Sequence, residues 1–274
     1  MWLAGWAILA GAAAGIGAAE HLPNVLFIAV DDLNDWVGCL GGHPQAKTPH
    51  IDRLAVRGTV FTSAHCQAPL CNPSRTSVLL GLRPSTTGIH ALAPWFRTIP
   101  ALANRPTLFE TFRMGGYVTA TCGKVFHDAY PPKADRRDGA EVDVWGHHGS
   151  FGPWPNRKLV DAPAKMNAMD WGVFPARDED QDDFKVASWA SEWLRRRSAA
   201  SGKPFFLAVG FRRPHVPCFA SKKWFDLYPE NVLVLPPVKE DDREDVPRFA
   251  SYLHWKLPEP RLKWLRQANQ WKPL

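Results

Sequence analysis

From Asn24 to Val30 the chain reads Asn-Val-Leu-Phe-Ile-Ala-Val, an unbroken apolar, β-branched run that stops at Asp31-Asp32. Such a run predicts a strand buried on both faces, as in parallel sheets. Phe205–Phe211 repeats the pattern and ends in Arg212-Arg213-Pro214-His215, which predicts a second buried strand. Between them, helical and extended signals alternate. Thr48-Pro49 opens a helix over His50–Ala55, with proline at its first position. Thr59–Thr62 is predicted as the next strand, and a helix follows Asn72-Pro73 and ends near Gly81. A helix from Pro106 to Met114 is closed by Gly115-Gly116 and leads into a strand over Tyr117–Cys122. Asp182–Ala199 reads as an amphipathic helix, with the acidic stretch Asp178–Asp183 as its solvated start. This alternation predicts an α/β fold.

Two stretches break the rhythm. Residues 128–180 are rich in Pro, Gly, Trp and Asp with little periodicity, and read as a long excursion of the kind that carries ligand contacts. After residue 230 come a Pro-broken extended run, the charged run Lys239–Asp245, and a Trp-rich tail predicted helical from Glu259. No internal repeat is present.

Composition narrows the class. With 274 residues, 45% hydrophobic and 22% charged, the chain can bury a core, which excludes disorder, collagen and coiled coil. Its 25 Pro, 20 Gly and 13 Trp point to a loop-rich architecture. The formal charge of +6 is dispersed. The one dense cluster, Arg195-Arg196-Arg197, sits at a predicted helix end, where the dipole favours it, and no nucleic-acid recognition motif accompanies it. Nucleic acid is therefore not an expected partner. Cys39, Cys66, Cys71, Cys122 and Cys218 are too few for a disulfide scaffold and include no CxxC pair; all but Cys71 are expected to be buried thiols. Trp2–Ala19 is uncharged and ends in small residues before Glu20, the shape of an export signal cleaved near Ala19, although it lacks a basic start. The protein is thus expected to be exported, with residues 1–19 removed and no stable membrane span left.

In open α/β sheets, ligands gather at the carboxyl ends of strands. Asp31 and Asp32 lie at such an end and repel each other unless a cation neutralises them; all-oxygen donors suit calcium or magnesium. An Asp-Asp pair also serves as a solvated turn. In Cys71-Asn72-Pro73-Ser74-Arg75, Asn72 as cap and Pro73 as first helical residue would leave Cys71 just outside a helix N-terminus that favours an anion, with Arg75 adding a fork of donors. The alternative is a buried cysteine before an ordinary helix with Arg75 exposed.

Cys71-x-Pro73-Ser74-Arg75, followed by Leu79, Gly81 and Pro84, resembles the signature of the type I sulfatases, in which that cysteine becomes formylglycine. Asn24-Val25-Leu26 to Asp31-Asp32, Thr48–Asp52, Gly123-Lys124-Val125-Phe126-His127 and Arg213–Pro217 are similar to the iduronate-2-sulfatase-like branch. The resemblance runs from residue 23 to 238. It implies an alkaline-phosphatase/sulfatase-like α/β/α sandwich with a mostly parallel mixed sheet, incomplete at the C-terminus. It implies that Asp31, Asp32 and the converted Cys71 bind Ca²⁺, with Mg²⁺ the alternative. By the same match Cys71 becomes an aldehyde hydrated to a gem-diol, Arg75 supports it, and Lys124 holds the sulfate and the diol. His127 takes the proton when sulfate is expelled, and His215 sits over the leaving oxygen. The implied function is hydrolysis of sulfate esters on a sulfated carbohydrate, with a formylglycine-generating maturation enzyme as partner. Trp145, Trp154 and Trp171 either stack on sugar rings or pack internally.

Family members complete the metal site with a later Asp-His or Asp-Asn pair, and neither dipeptide occurs here. Asp241-Asp242 lies in a charged run that reads as a solvated loop. The expectation is therefore that residues 20–274 are the amino-terminal catalytic domain of a sulfatase, cut before the second ligand pair. The alternatives are a phosphate or phosphonate ester hydrolase on the same frame, and a non-catalytic remnant that binds sulfated glycans.

Overall fold

A computed structural model describes residues 22–160, 169–199 and 202–237, together with 239, 241, 244 and 245. In chain order the elements are β1 (Val25–Val30), α1 (Pro49–Arg57), α2 (Cys71–Leu80), α3 (Pro84–Thr87), α4 (Leu108–Met114), β2 (Val118–Gly123) and β3 (Val144–Trp145), then β4 (Trp171–Val173), α5 (Asp182–Ala199), β5 (Phe205–Phe211), β6 (Cys218–Ala220) and α6 (Lys222–Phe225). The expected export signal and the helix from Glu259 lie outside the described residues. Among the described residues, no helix is long and apolar enough to cross a membrane.

The two apolar runs lie side by side. One sheet has the order β1-β5-β2-β3 with every pair parallel, and β4 and β6 form a separate two-stranded parallel ladder. Alternate side chains of β5 supply two cores, as the two-residue period of a strand requires. Phe206 and Ala208 join Leu79 and Leu80 of α2 and Phe109 of α4. Leu207 and Val209 join Ala120 and Cys122 of β2 and Val186 and Ala190 of α5. Helices therefore cover both faces, giving an α/β/α sandwich. Each fully buried Phe or Leu contributes about 2 kcal/mol.

Three expectations about elements need correction. β1 is not buried on both faces: Val25 and Phe27 pack on the core, whereas Leu26 and Ile28 are 46% and 50% exposed, because among the described residues β1 stands at the margin of the sheet, beyond the strands that α5 covers. Residues 59–62 form no strand; Phe61 is exposed, and the short run has no strand beside it among the described residues. The helix expected from Pro106 begins at Leu108, because Thr107 is its cap: the Thr107 hydroxyl accepts from the Glu110 N–H at 3.2 Å while the Glu110 carboxylate accepts from the Thr107 N–H at 2.8 Å.

Two glycines set the geometry at the carboxyl ends of the central strands. A Cβ on Gly123, whose φ is +69°, would lie 2.0 Å from the Gly210 carbonyl oxygen, and one on Gly210 would lie 2.1 Å from the Lys124 carbonyl carbon. Only glycine permits that approach. It lets the Lys124 N–H donate to the Gly210 carbonyl at 2.8 Å and fixes where the Lys124 side chain leaves the sheet.

Candidate active site

The cleft over the ends of β1, β2 and β5 collects most of the residues singled out from the sequence. A cavity of about 500 Å³ is lined there by Asp31, Asp32, Cys71 and Arg75, with Leu33 and Val78 among its apolar walls.

Helix α2 delivers two of these groups. It starts at Cys71, not at Pro73, so the cysteine occupies the first helical position instead of lying outside the helix. Asn72 does not cap. It is buried, and its side-chain amide donates to the carbonyls of Ala91 (3.2 Å) and Pro94 (3.0 Å). Long-range acceptors have taken the group that local capping would use, and they fasten the start of α2 to the loop beside it. Arg75, one turn on, lines the cleft and is part-buried, its side chain 11% exposed, which excludes the exposed-arginine alternative. It donates to Asp31 Oδ1 at 2.7 Å, to the Val125 carbonyl at 2.9 Å and to the Lys124 carbonyl.

Asp31 and Asp32 part company after β1. Asp31 is 6% exposed and is clasped by Arg75 and by the ammonium of Lys124. Burial alone would raise its carboxyl; the two cations outweigh that and hold it below the usual carboxylate range. Asp32 has φ +56°, a left-handed conformation that aspartate tolerates better than most residues, and its side chain faces solvent 3.9 Å from His215 Nε2. Lys124 is 2% exposed, with Cys71 Sγ at 3.8 Å and Asp128 Oδ2 at 3.9 Å. Burial pushes the Cys71 thiol above its ordinary value, with the Lys124 ammonium pulling the other way. As an unmodified cysteine it is therefore a poor thiolate nucleophile at neutral pH.

The two histidines flank this centre. His215 Nδ1 lies 2.6 Å from the Val216 carbonyl oxygen. A carbonyl only accepts, so Nδ1 carries a hydrogen, and Nε2 faces Asp32. His127 follows Lys124 by three residues, and its Nδ1 is buried with no hydrogen-bond partner among the described residues. Burial pulls its pKa down, although Asp128 beside it works in the opposite direction, so the ring is neutral at pH 7.

A metal fits these residues only in part. The two carboxylates are hard donors of the right kind, yet calcium takes six to eight oxygens. The groups that converge, with ligand atoms within 4.8 Å of one another, are Asp31, Cys71 and His215. Asp31 is already neutralised by Arg75 and Lys124. The described residues on their own do not make a calcium site.

Several features lie outside the sequence expectation. Asp128, Arg212 and Phe151 border the site, and no motif singled them out; their only signal is that Asp128 adjoins His127 and Arg212 directly follows β5. Of the three tryptophans, Trp145 packs inside, its ring stacked 5.5 Å from Phe126, while Trp154 is exposed and neighbours Phe151 at 6.4 Å. The expected burial of the other thiols holds only for Cys122, which burial pushes up to about 12; Cys66 and Cys218 are exposed and Cys39 is half-buried.

Comparisons with known proteins identify the family. The model of the family described as Sulfatase matches residues 23–252. A sulfatase of Formosa agariphila is 38% identical over 266 residues, covering 92% of this chain and 51% of that protein. The iduronate 2-sulfatase of Mus musculus is 30% identical over 291 residues, covering 95% of this chain and 50% of that protein. A phosphonate monoester hydrolase from Silicibacter pomeroyi shares the fold, with a TM-score of 0.60 at 20% identity over 92% of this chain and 53% of that one. The chain spans about half the length of the curated relatives it matches. Because the family match covers most of the sequence, the chain belongs to the sulfatase family.

Proposed function

We propose that residues 20–274 are the amino-terminal part of a sulfatase catalytic domain that cleaves sulfate esters on a sulfated carbohydrate, in an exported protein, after Cys71 has been converted to formylglycine. The observation that carries this reading is the surround of Cys71: a half-buried thiol at the start of α2, lining the cavity, 3.8 Å from Lys124 and beside the Arg75–Asp31 pair. Sulfatases generally use a formylglycine and a divalent metal. An aldehyde hydrate at Cys71 supplies an oxygen nucleophile that can be regenerated, which neither serine nor this high-pKa thiol offers. A maturation enzyme is the partner that would oxidise the side chain. Asp31 and Asp32 would contribute the first two ligands of a divalent metal, Ca²⁺ before Mg²⁺ on donor chemistry.

The chain's own residues divide the remaining work. The Lys124 ammonium neutralises sulfate oxygens as charge builds on them, and Arg75 holds Asp31 and the Lys124 backbone in place beneath. Neutral His127 accepts a proton. His215 holds Nδ1 against the Val216 carbonyl and turns Nε2 to the cleft, where a hydrogen carried on Nε2 would pass to the ester oxygen as it leaves as an alcohol. A sulfated uronic acid is the substrate class supported by the likeness to iduronate 2-sulfatase.

Mass spectrometry of the peptide around Cys71, after co-expression with a formylglycine-generating enzyme, tests the reading together with turnover of sulfate and phosphonate esters. Conversion accompanied by sulfate release is expected. An intact thiol in an active protein overturns it, faster phosphonate turnover makes the chain a phosphonate hydrolase, and tight retention of sulfated glycan without hydrolysis makes it a binding remnant.

A further inference from the structure

Phe151 lies in the aperiodic excursion, yet its ring meets three charged or titratable side chains of the cleft. Arg212 Cζ lies 4.0 Å from the ring centroid, Lys124 Nζ 5.6 Å, and the His215 ring 5.3 Å. An aromatic face attracts cations, so the ring can hold Arg212 and Lys124 together without neutralising either. Arg212 is fixed from its other side. Its side chain is 4% exposed and donates to both oxygens of Asp128, at 2.9 and 2.5 Å. That bidentate pair joins the segment after β2, which carries Lys124 and His127, to the segment after β5, which carries His215. The backbone is fastened at the same place. The Asp183 carboxylate accepts the N–H groups of Arg212 (2.9 Å) and Arg213 (2.8 Å), and the Arg213 guanidinium donates to the carbonyls of Phe151 (3.3 Å) and His215 (3.1 Å).

We propose that Asp128, Arg212 and Phe151 are positioning residues that hold Lys124 and His215 in one fixed arrangement over the cleft. Arg212 does not serve as a substrate-binding cation, because both ends of its fork are committed to Asp128. Its effect on turnover rests on the sulfatase reading; its effect on the order of Lys124 and His215 does not.

Phe151→Leu keeps apolar bulk and removes the ring face while leaving the ion pair whole. Asp128→Asn removes the charge opposite Arg212, and Asp128→Glu restores it. Three measurements decide. Long-range ¹H–¹⁵N spectra of the histidine rings are expected to show His215 as a single Nδ1–H tautomer in the parent chain and as a mixture in Phe151→Leu. Affinity for inorganic sulfate, read by calorimetry, is expected to fall about tenfold in Phe151→Leu and Asp128→Asn, and to recover in Phe151→Tyr and Asp128→Glu. With converted protein, kcat is expected to fall about 10- to 100-fold with KM within about threefold, the pattern of a misplaced group. An unchanged His215 tautomer and unchanged sulfate affinity in a folded Phe151→Leu chain would overturn the proposal. Should no variant or parent turn over any ester, the sulfatase reading fails while the spectra and calorimetry still decide this one. Should Asp128→Asn fail to fold, Phe151→Leu decides alone.

Discussion

The Asp31–Lys124 ion pair is the contact on which the site turns, because both partners are almost fully enclosed. Taking one away leaves the other charge in a poor dielectric. Lys124→Met leaves Asp31 with Arg75 as its remaining cation and is expected to destabilise the fold by about 3 kcal/mol, whereas Asp31→Asn with Lys124→Met restores much of the loss. Urea unfolding of the two single variants and the double variant measures this; simple additivity would show that the pair is not coupled. Much of this centre was legible in the sequence. Asp31-Asp32, Cys71, Arg75, Lys124, His127 and His215 each stand at a strand end or a helix start, where chemistry concentrates, and motif resemblance gave them roles. Asp128, Arg212 and Phe151 were not legible. Their significance comes from contacts across 84 positions for Arg212 and Asp128 and 62 for Arg213 and Phe151, and no local pattern encodes such distances.

At the scale of elements, legibility follows length and local capping. β5 was readable because seven apolar residues in a row have few alternatives, and its middle positions are buried on both sides. β1 looked the same in sequence but stands at the sheet margin, a fact about strand order that the run itself does not carry. β3, β4 and β6 span two or three residues, too short for a period to show. The start of α2 was misjudged because Asn72 resembles a cap, and only the fold shows that its amide is engaged elsewhere. Two substitutions test the element-level account. Thr107→Ala removes one half of the capping box and is expected to cost about 1 kcal/mol, read as a lowered Tm with cleft chemistry unaffected. Gly210→Ala is far harsher, because its Cβ would meet the Lys124 backbone, which cannot swing aside as a side chain can. Its expected outcome is loss of soluble, folded chain; a folded Gly210→Ala protein with a normal Tm would refute the close approach of Gly210 to the Lys124 backbone.

For the molecule as a whole, the alternation of helix and strand carried the α/β class and the family resemblance its α/β/α layering, while the order β1-β5-β2-β3 depended on pairing that no single segment specifies. The global response to pH draws on groups from several elements at once. His148 is held neutral, its pKa lowered to about 4 by burial and then by the Arg136 guanidinium that donates to it. The unfolded chain binds that proton near pH 6.5, so between pH 6.5 and 4 the unfolded state carries more protons than the native state, and stability falls as pH falls through this window. The ceiling of this contribution is about 3 kcal/mol, and about half of that remains after allowing for the partial contact of the ring with water. Asp31 and Asp128 act in a lower window. Both are held below the ordinary aspartate value of 3.8, so what they contribute persists above that value and is lost as pH falls through their depressed pKa values. The melting temperature should therefore decline in two stages on acidification. His148→Gln should shrink the upper stage to the part that His127, also lowered by burial, contributes, and leave the lower one in place. A Tm that is flat from pH 7 to 4 in the parent chain would mean that His148 is not buried as a neutral base. An upper stage undiminished in His148→Gln would assign it to His127 instead.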